Sequence, residues 1–361
     1  MSAACFRPIQ PPGRRAHLFS LATALPPHLL WQADVARRVH QVFEPHFREF
    51  ERLSSVFESV GILKRHGVRP LEWYLEPRGW PERTEAYLDG AASLFVQAAE
   101  AALAQAGLRG VDIDAVVTLS STGIATPSLD ALVFSRMGFR KDILRVPVFG
   151  RGCAGGVCGL TIAARLAEAR PGTNVLMVAV ELCTLAFRLD DFKVANLIAT
   201  ALFGDGCAAC VLRADEGGLA ELEGGSEHNW PDTLDVMGWT VDPQGFGVVL
   251  ARSVPPFVEE RFAPALDDML AQLGIASEDI GRFVCHPGGT KVVAALERAL
   301  GLHQGSLDHE RAVLRDCGNM SAPTVLFILE RVIQAGLPQR VLLTAMGPGF
   351  TASAASLAKV A

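Results

Sequence analysis

Strand-length apolar runs alternate with amphipathic helical stretches along this chain, and the pattern runs through twice. Such alternation predicts an α/β fold whose largely parallel strands are buried on both faces. The repeat narrows the expectation further. In the first half, Ile113-Asp114-Ala115-Val116-Val117 is followed by Asn174-Val175-Leu176-Met177-Val178, with 62 positions from Ile113 to Val175. In the second half, Ile280-Gly281-Arg282-Phe283-Val284 is followed by Arg340-Val341-Leu342-Leu343-Thr344, with 61 positions from Ile280 to Val341. A glycine-rich corner and an apolar helix lie between the members of each pair. Copies of one βαβ unit would place Cys153, 40 residues after Ile113, and Asn319, 39 after Ile280, at matching corners across a pseudo-twofold axis. The first half is expected to span residues 1–218 and carry Cys153; the second, 219–361, carries His286 and Asn319. They meet in the Gly-rich acidic stretch between Asp215 and Glu223.

Cys153 lies in Phe149-Gly150-Arg151-Gly152-Cys153-Ala154-Gly155-Gly156, after a run, Ile143 to Phe149, that reads as a buried strand. The stretch from Val157 to Ala169 reads as a helix ended by Pro171-Gly172. A thiol at a helix N-terminus is expected to have a lowered pKa, because unpaired amides and the helix dipole favour an anion. Two further glycine-lined turns carry chemistry: His286-Pro287-Gly288-Gly289, closing the strand Phe283-Val284-Cys285, and Gly318-Asn319-Met320-Ser321. The other eight histidines lack such a setting. An imidazole can hold a thiolate as an ion pair. His and Asn N–H groups together can bind an oxyanion or enolate.

Other readings are weaker. A net charge of −6, with no basic stripe interleaved with aromatics, argues against a nucleic-acid partner. No apolar run reaches the ~18 residues of a membrane span. The segment Leu18 to Leu30 follows Arg14-Arg15 in the loose layout of a signal peptide, but Pro26-Pro27 interrupts it, so strand, turn and helix are expected there. Eight cysteines without regular spacing suggest a reducing compartment, hence the cytoplasm. Gly150-x-Gly152-x-x-Gly155, with Glu181 ending the next strand, satisfies a dinucleotide fingerprint. It sits in mid-chain, however, and leaves the His286 and Asn319 turns unexplained. Cys207-Ala208-Ala209-Cys210 has redox or zinc spacing but no second pair, so two buried thiols are expected. A Cys–His hydrolase would need a group orienting the histidine, for which Asn319 is available.

Cys153, the His286-Pro-Gly-Gly turn and the Gly-Asn319-Met-Ser turn together resemble the catalytic motifs of type III polyketide synthases, the chalcone-synthase-like enzymes. Leu202-Phe203-Gly204-Asp205-Gly206 and Gly347-Pro348-Gly349-Phe350-Thr351 match two further motifs of that family, in the same order. The resemblance runs from about Ala16 to the C-terminus. It implies a thiolase-like five-layered αβαβα fold and a homodimer. It also implies iterative decarboxylative condensation of malonyl-CoA onto an acyl-CoA starter carried on Cys153, with no metal or cofactor beyond the coenzyme A thioesters. His286 and Asn319 would stabilise the malonyl-derived enolate, and Phe203 would be an aromatic gatekeeper. Gly288, Gly289, Gly347, Pro348 and Gly349 would border the substrate.

Departures from the plant enzymes bear on the starter. Val248 aligns with their second gatekeeper aromatic, with Phe246 as the alternative. Cys183 and Ala186 replace cavity threonines, and Thr126 replaces a methionine that crosses the dimer interface. These smaller, less polar residues resemble the lining of bacterial synthases with fatty acyl starters and alkylpyrone or alkylresorcinol products. Arg48 and Arg52 are the nearest counterparts of the family's CoA-binding basic residues, with Ser55 and Ser59 at the other expected places; Arg52 is the candidate. The nearest alternative is a ketoacyl synthase of fatty acid initiation, whose turns read differently.

Overall fold

The computed structural model describes residues 14–46 and 54–360. Its strands are β1 His17–Ala24, β2 His28–Trp31, β3 Lys64–Gly67, β4 Ala115–Leu119, β5 Leu144–Val148, β6 Asn174–Leu182 and β7 Asp205–Arg213. The second half adds β8 Ala220–Asn229, β9 Met237–Asp242, β10 Gly245–Leu250, β11 Arg282–Cys285, β12 Arg340–Gly347 and β13 Thr351–Lys359. Nine of them form one sheet in the order β11-β12-β13-β8-β1-β7-β6-β4-β5.

The duplication is visible in the pairing. From β4 inward, the first half runs β4 parallel to β6, β6 antiparallel to β7, and β7 antiparallel to β1. The second half repeats this as β11 parallel to β12, β12 antiparallel to β13, and β13 antiparallel to β8. The halves join where β1 meets β8, over only His17–Leu18 against Ala220–Glu221. So short a seam lets the two half-sheets diverge and enclose a middle layer. That layer is a pair of helices, Gly155–Ala169 and Pro323–Gly336, packed on each other and on strands of both halves. The helix Trp80–Gln105 covers the outer face of the first half-sheet, and Val254–Leu273 covers that of the second. The result is the five-layered αβαβα arrangement.

Burial explains the apolar runs: every residue of β6 after Asn174, and of β12 after Arg340, is buried. The middle helices approach closely because Gly156 has no side chain. A Cβ there would lie 2.3 Å from the Ala322 carbonyl oxygen. Cys207 and Cys210 belong to apolar clusters on opposite faces of β7, so their spacing cannot chelate. All cysteines of the described residues are free, and no helix among them is long and apolar enough to cross a membrane.

One strand differs from expectation. β5, expected to be buried, is an exposed edge strand paired only with β4, and Leu144 and neighbouring Phe149 are each more than half exposed. Its apolar sequence has no cover among the described residues.

Candidate active site

The carboxyl-edge corners of both halves open onto one cavity of about 460 Å³. Cys153, His286 and Asn319 all line it. Each is positioned by a different device.

Cys153 sits in a 3₁₀ turn, Gly152–Ala154, that runs straight into the helix Gly155–Ala169. The Gly150 and Gly152 amides donate to the Ser121 hydroxyl at 3.2 and 3.1 Å. The Ser121 amide in turn donates to Glu181, as does the Thr122 hydroxyl, at 2.9 and 2.8 Å. Glu181 is 1% exposed, and burial raises its pKa to about 7. From the other side the turn is braced by the loop after β12. A Cβ on Gly347 would lie 2.5 Å from the Arg151 carbonyl oxygen, and one on Gly152 would lie 2.7 Å from Pro348 Cδ. The same packing rules out the dinucleotide reading, because Pro348 and Ala322 fill the space over Gly152, Gly155 and Gly156 that a pyrophosphate would need. Glu181 is spent on the Ser121–Thr122 turn.

His286 follows β11 and donates its amide to the Thr344 carbonyl at 2.8 Å. His286 is 5% exposed, and among the described residues neither ring nitrogen meets a hydrogen-bond partner. Asn319 is held by a parallel bridge to Phe203: its amide donates to Leu202 O at 2.8 Å, and the Gly204 amide donates to its carbonyl at 3.0 Å. Its side-chain Oδ1 accepts the Ser321 amide at 2.8 Å, which leaves the Nδ2 donor for the cavity. Asn319 therefore does not orient His286, and a hydrolytic triad has no third member.

The expected low thiol pKa is not what the surroundings produce. Burial pushes the Cys153 thiol up to about 12, and the charge of Glu181 adds to the rise, against a hydrogen bond from Ser321. Burial likewise pulls His286 down to about 4. Desolvation outweighs the one-turn dipole on which the sequence argument relied. Taken one group at a time, burial favours the neutral thiol and the neutral imidazole.

The remaining expected positions divide. Cys183, Phe203, Val248, Gly288, Gly289 and Pro348 line the cavity; Phe246 does not. In the β9–β10 hairpin Val248 pairs with Trp239, whereas Phe246 stacks behind Trp239 at 5.8 Å. Ala186 is packed with Ala199 against Val248, one layer back. Gly347 braces the nucleophile turn instead of facing the cavity, and Gly349 also stays outside the lining. Thr126 is exposed on the surface, away from the lining. Arg48 and Arg52 lie outside the described residues.

Trp239 was not singled out in the sequence. It lines the cavity, meets Phe203 edge-on at 6.1 Å, and donates Nε1–H to the Ser121 carbonyl at 2.9 Å. It thus ties the hairpin to the turn that supports Cys153. Ser121, Thr122 and Ser321 also line the cavity without having been anticipated. Two clues were readable: an acidic residue ending an apolar strand, and a tryptophan in a short two-stranded stretch.

Residues 7–216 match the family profile for chalcone and stilbene synthases, N-terminal domain, and residues 221–360 match that of the C-terminal domain. The chain is 38% identical to a 1,3,6,8-tetrahydroxynaphthalene synthase of Streptomyces peucetius, over 94% of this chain and 92% of that one. It is 30% identical to an alpha-pyrone synthesis polyketide synthase-like protein of Mycobacterium tuberculosis, over 95% and 91%. Among solved structures it resembles the 1,3,6,8-tetrahydroxynaphthalene synthase of Streptomyces coelicolor, a bacterial type III polyketide synthase, with a TM-score of 0.91 at 30% identity, covering 96% and 99%.

Proposed function

The chain belongs to the chalcone and stilbene synthase family, acyltransferases of the type III polyketide synthase class, and from that premise we propose how its cavity works and what starter it takes. The observation that carries the reading is the meeting of Cys153, His286 and Asn319, from two repeated halves, on one otherwise largely apolar cavity.

Neutral His286 takes the Cys153 proton as the sulfur attacks the acyl-CoA carbonyl, and the departing CoA thiolate recovers that proton. Malonyl-CoA then occupies the same place. Its C–CO₂ bond breaks, and the electron pair becomes an enolate whose oxygen accepts N–H bonds from His286 and Asn319 Nδ2. The enolate carbon attacks the Cys153 thioester and expels the thiolate, and the lengthened chain returns to Cys153 for another round. No metal or redox cofactor enters these steps. The exposed apolar edge at β5, with Ile124 and Phe149, supports a homodimer, in which Thr126 would reach the partner subunit. A cytoplasmic setting is part of this proposal, in keeping with the free cysteines of the described residues.

For the starter we favour a fatty acyl chain, cyclised to an alkylpyrone or alkylresorcinol. Cys183 and Phe203 also line a second, small pocket of about 40 Å³, with Leu30, Val35, Val39 and Leu71 among its walls, and in this reading an alkyl end would extend toward it. Each methylene buried there contributes about 0.8 kcal/mol to starter selection. A second reading, a tetrahydroxynaphthalene-type aromatic product, is favoured by the 38% identical relative. Incubation with labelled malonyl-CoA and a panel of acyl-CoAs, with products read by mass, separates the two. C8 to C18 starters incorporated into pyrones or resorcinols support the first. A product built from malonyl units alone supports the second.

A further inference from the structure

We propose that Arg188, which lies outside the cavity, is a positioning residue that fixes the cavity's width and with it the bulk of chain the enzyme can grow. It does so by latching the β9–β10 hairpin to the segment that carries Cys183. The inference rests on the functional reading above and adds to it a determinant of product length. The hairpin stands apart from the nine-stranded sheet, its two strands paired with each other. Yet it supplies Met237, Trp239, Val248 and Leu250 to the cavity wall. A two-stranded ribbon has little stability of its own, so its position depends on what holds it. Among the described residues, two hydrogen bonds tie it to the rest of the chain. At the cavity end, Trp239 donates to the Ser121 carbonyl. At the turn, Asp242 accepts from Arg188 Nη1 at 2.6 Å, the hairpin's one ion pair among those residues.

The arginine end of the latch is itself held firmly. Arg188 is buried, and its Nε and Nη2 donate to Asp190 Oδ1 and Oδ2 at 3.0 and 2.7 Å. That two-pronged contact orients the guanidinium and leaves Nη1 for Asp242. The Arg188 backbone is fixed by Asn196 in the helix Val194–Leu202, whose side-chain amide donates to the Arg188 and Asp191 carbonyls at 2.7 Å each. That helix runs into Phe203, and the 3₁₀ turn Cys183–Ala186 ends two residues before Arg188. Arg188 therefore joins the wall bearing Cys183 and Phe203 to the wall bearing Trp239 and Val248. Asp242 lies three residues from Trp239, about 10 Å along a strand, so a swing at the turn is carried to the cavity. Phe246 meets Trp80 edge-on at 5.1 Å, an apolar contact that keeps the hairpin attached when the latch is cut. The hydrogen bonds from Arg188 hold the Asp190 and Asp242 carboxyls below the usual carboxylate range, so the latch stays charged near neutral pH.

The test compares wild type with Asp242→Ala, Asp242→Asn, Asp242→Glu and Arg188→Lys. Asp242 is the exposed partner, so its substitutions leave the Arg188–Asp190 contact in place. Labelled malonyl-CoA is supplied alone and with acetyl-, octanoyl- or palmitoyl-CoA; CO₂ release, product masses and amide exchange over residues 237–250 are recorded. In Asp242→Ala and Asp242→Asn, the share of products with an extra malonyl unit, and the kcat/KM ratio of bulkier to smaller starters, should rise about three- to tenfold. Exchange should quicken in the hairpin alone. CO₂ release from malonyl-CoA alone should stay close to wild type, because Cys153, His286 and Asn319 are not on the hairpin. Asp242→Glu and Arg188→Lys, which keep an ion pair, should fall between. A role in stability alone would lower CO₂ release, extension and Tm together at constant product partition. That outcome overturns the proposal, as does an unchanged partition whatever the exchange. A wild type that makes no extended product from any mixture overturns instead the functional reading beneath it.

Discussion

Acidifying the solution should cost this fold about 2 kcal/mol at pH 5 through His286 alone. Its ring is buried without a hydrogen-bond partner among the described residues, and burial lowers its pKa from 6.5 to about 4. Between those values the unfolded chain binds a proton that the native state refuses, so stability is full above pH 6.5 and falls as pH drops. At 1.36 kcal/mol per pH unit, the loss is about 2 kcal/mol at pH 5 and about 3 kcal/mol at pH 4. A raw stability curve mixes this with opposite contributions. Burial raises Glu181, Asp205 and Glu310 to about 7, and their contribution is present below the usual carboxylate range and lost as pH rises through 7. Comparing wild type with His286→Gln cancels those carboxyls. Urea unfolding at pH 8, 7, 6 and 5 should show wild type losing about 2 kcal/mol more than the variant between pH 8 and 5. Parallel curves would refute a neutral, desolvated imidazole, and with it the role of His286 as the base that accepts the Cys153 proton.

Three further substitutions probe the site from other sides. Asn319→Ala removes one of two enolate donors and should slow malonyl-CoA decarboxylation by about 10²–10³-fold, measured as CO₂ release, with Cys153 acylation largely retained. Gly347→Ala forces its Cβ against Arg151 O and Ala154 Cβ, at 2.5 and 2.8 Å in the unrelaxed geometry. It should cost about 1–3 kcal/mol, read as a lowered Tm, and reduce kcat by shifting the nucleophile turn. Trp239→Leu breaks the Nε1–H bond to Ser121 and the edge contact with Phe203. It should shift the ratio of kcat/KM values toward bulkier acyl-CoAs.

The parts of this architecture carried by apolar periodicity were legible in the chain. The intervals from Ile113 to Val175 and from Ile280 to Val341 map onto β4 to β6 and β11 to β12, and the three glycine corners do open onto one cavity. What escaped depends on contacts between segments distant in sequence. Local grammar gave β5 an apolar run but could not say that only one neighbour would cover it. A helix N-terminus argues for a thiolate, yet the desolvation that reverses the argument is supplied by the surroundings of the whole cavity. The choice between Val248 and Phe246 needed the hairpin register, since one residue of slip turns every side chain over. Glu181 invited a nucleotide reading because nothing local shows that Ser121 and Thr122, some 60 residues earlier, come to meet it.

The most direct test of the central claim, that Cys153 carries the chain while His286 and Asn319 generate the enolate, is to follow one labelled pool of malonyl-CoA in wild type and Cys153→Ala. The account predicts that Cys153→Ala still releases CO₂ from malonyl-CoA, forms no extended product, and shows no acyl mass on any peptide, whereas wild type carries the acyl group on the peptide containing Cys153. Extended polyketide from Cys153→Ala, or a wild-type acyl group found on Cys183 instead, would contradict it.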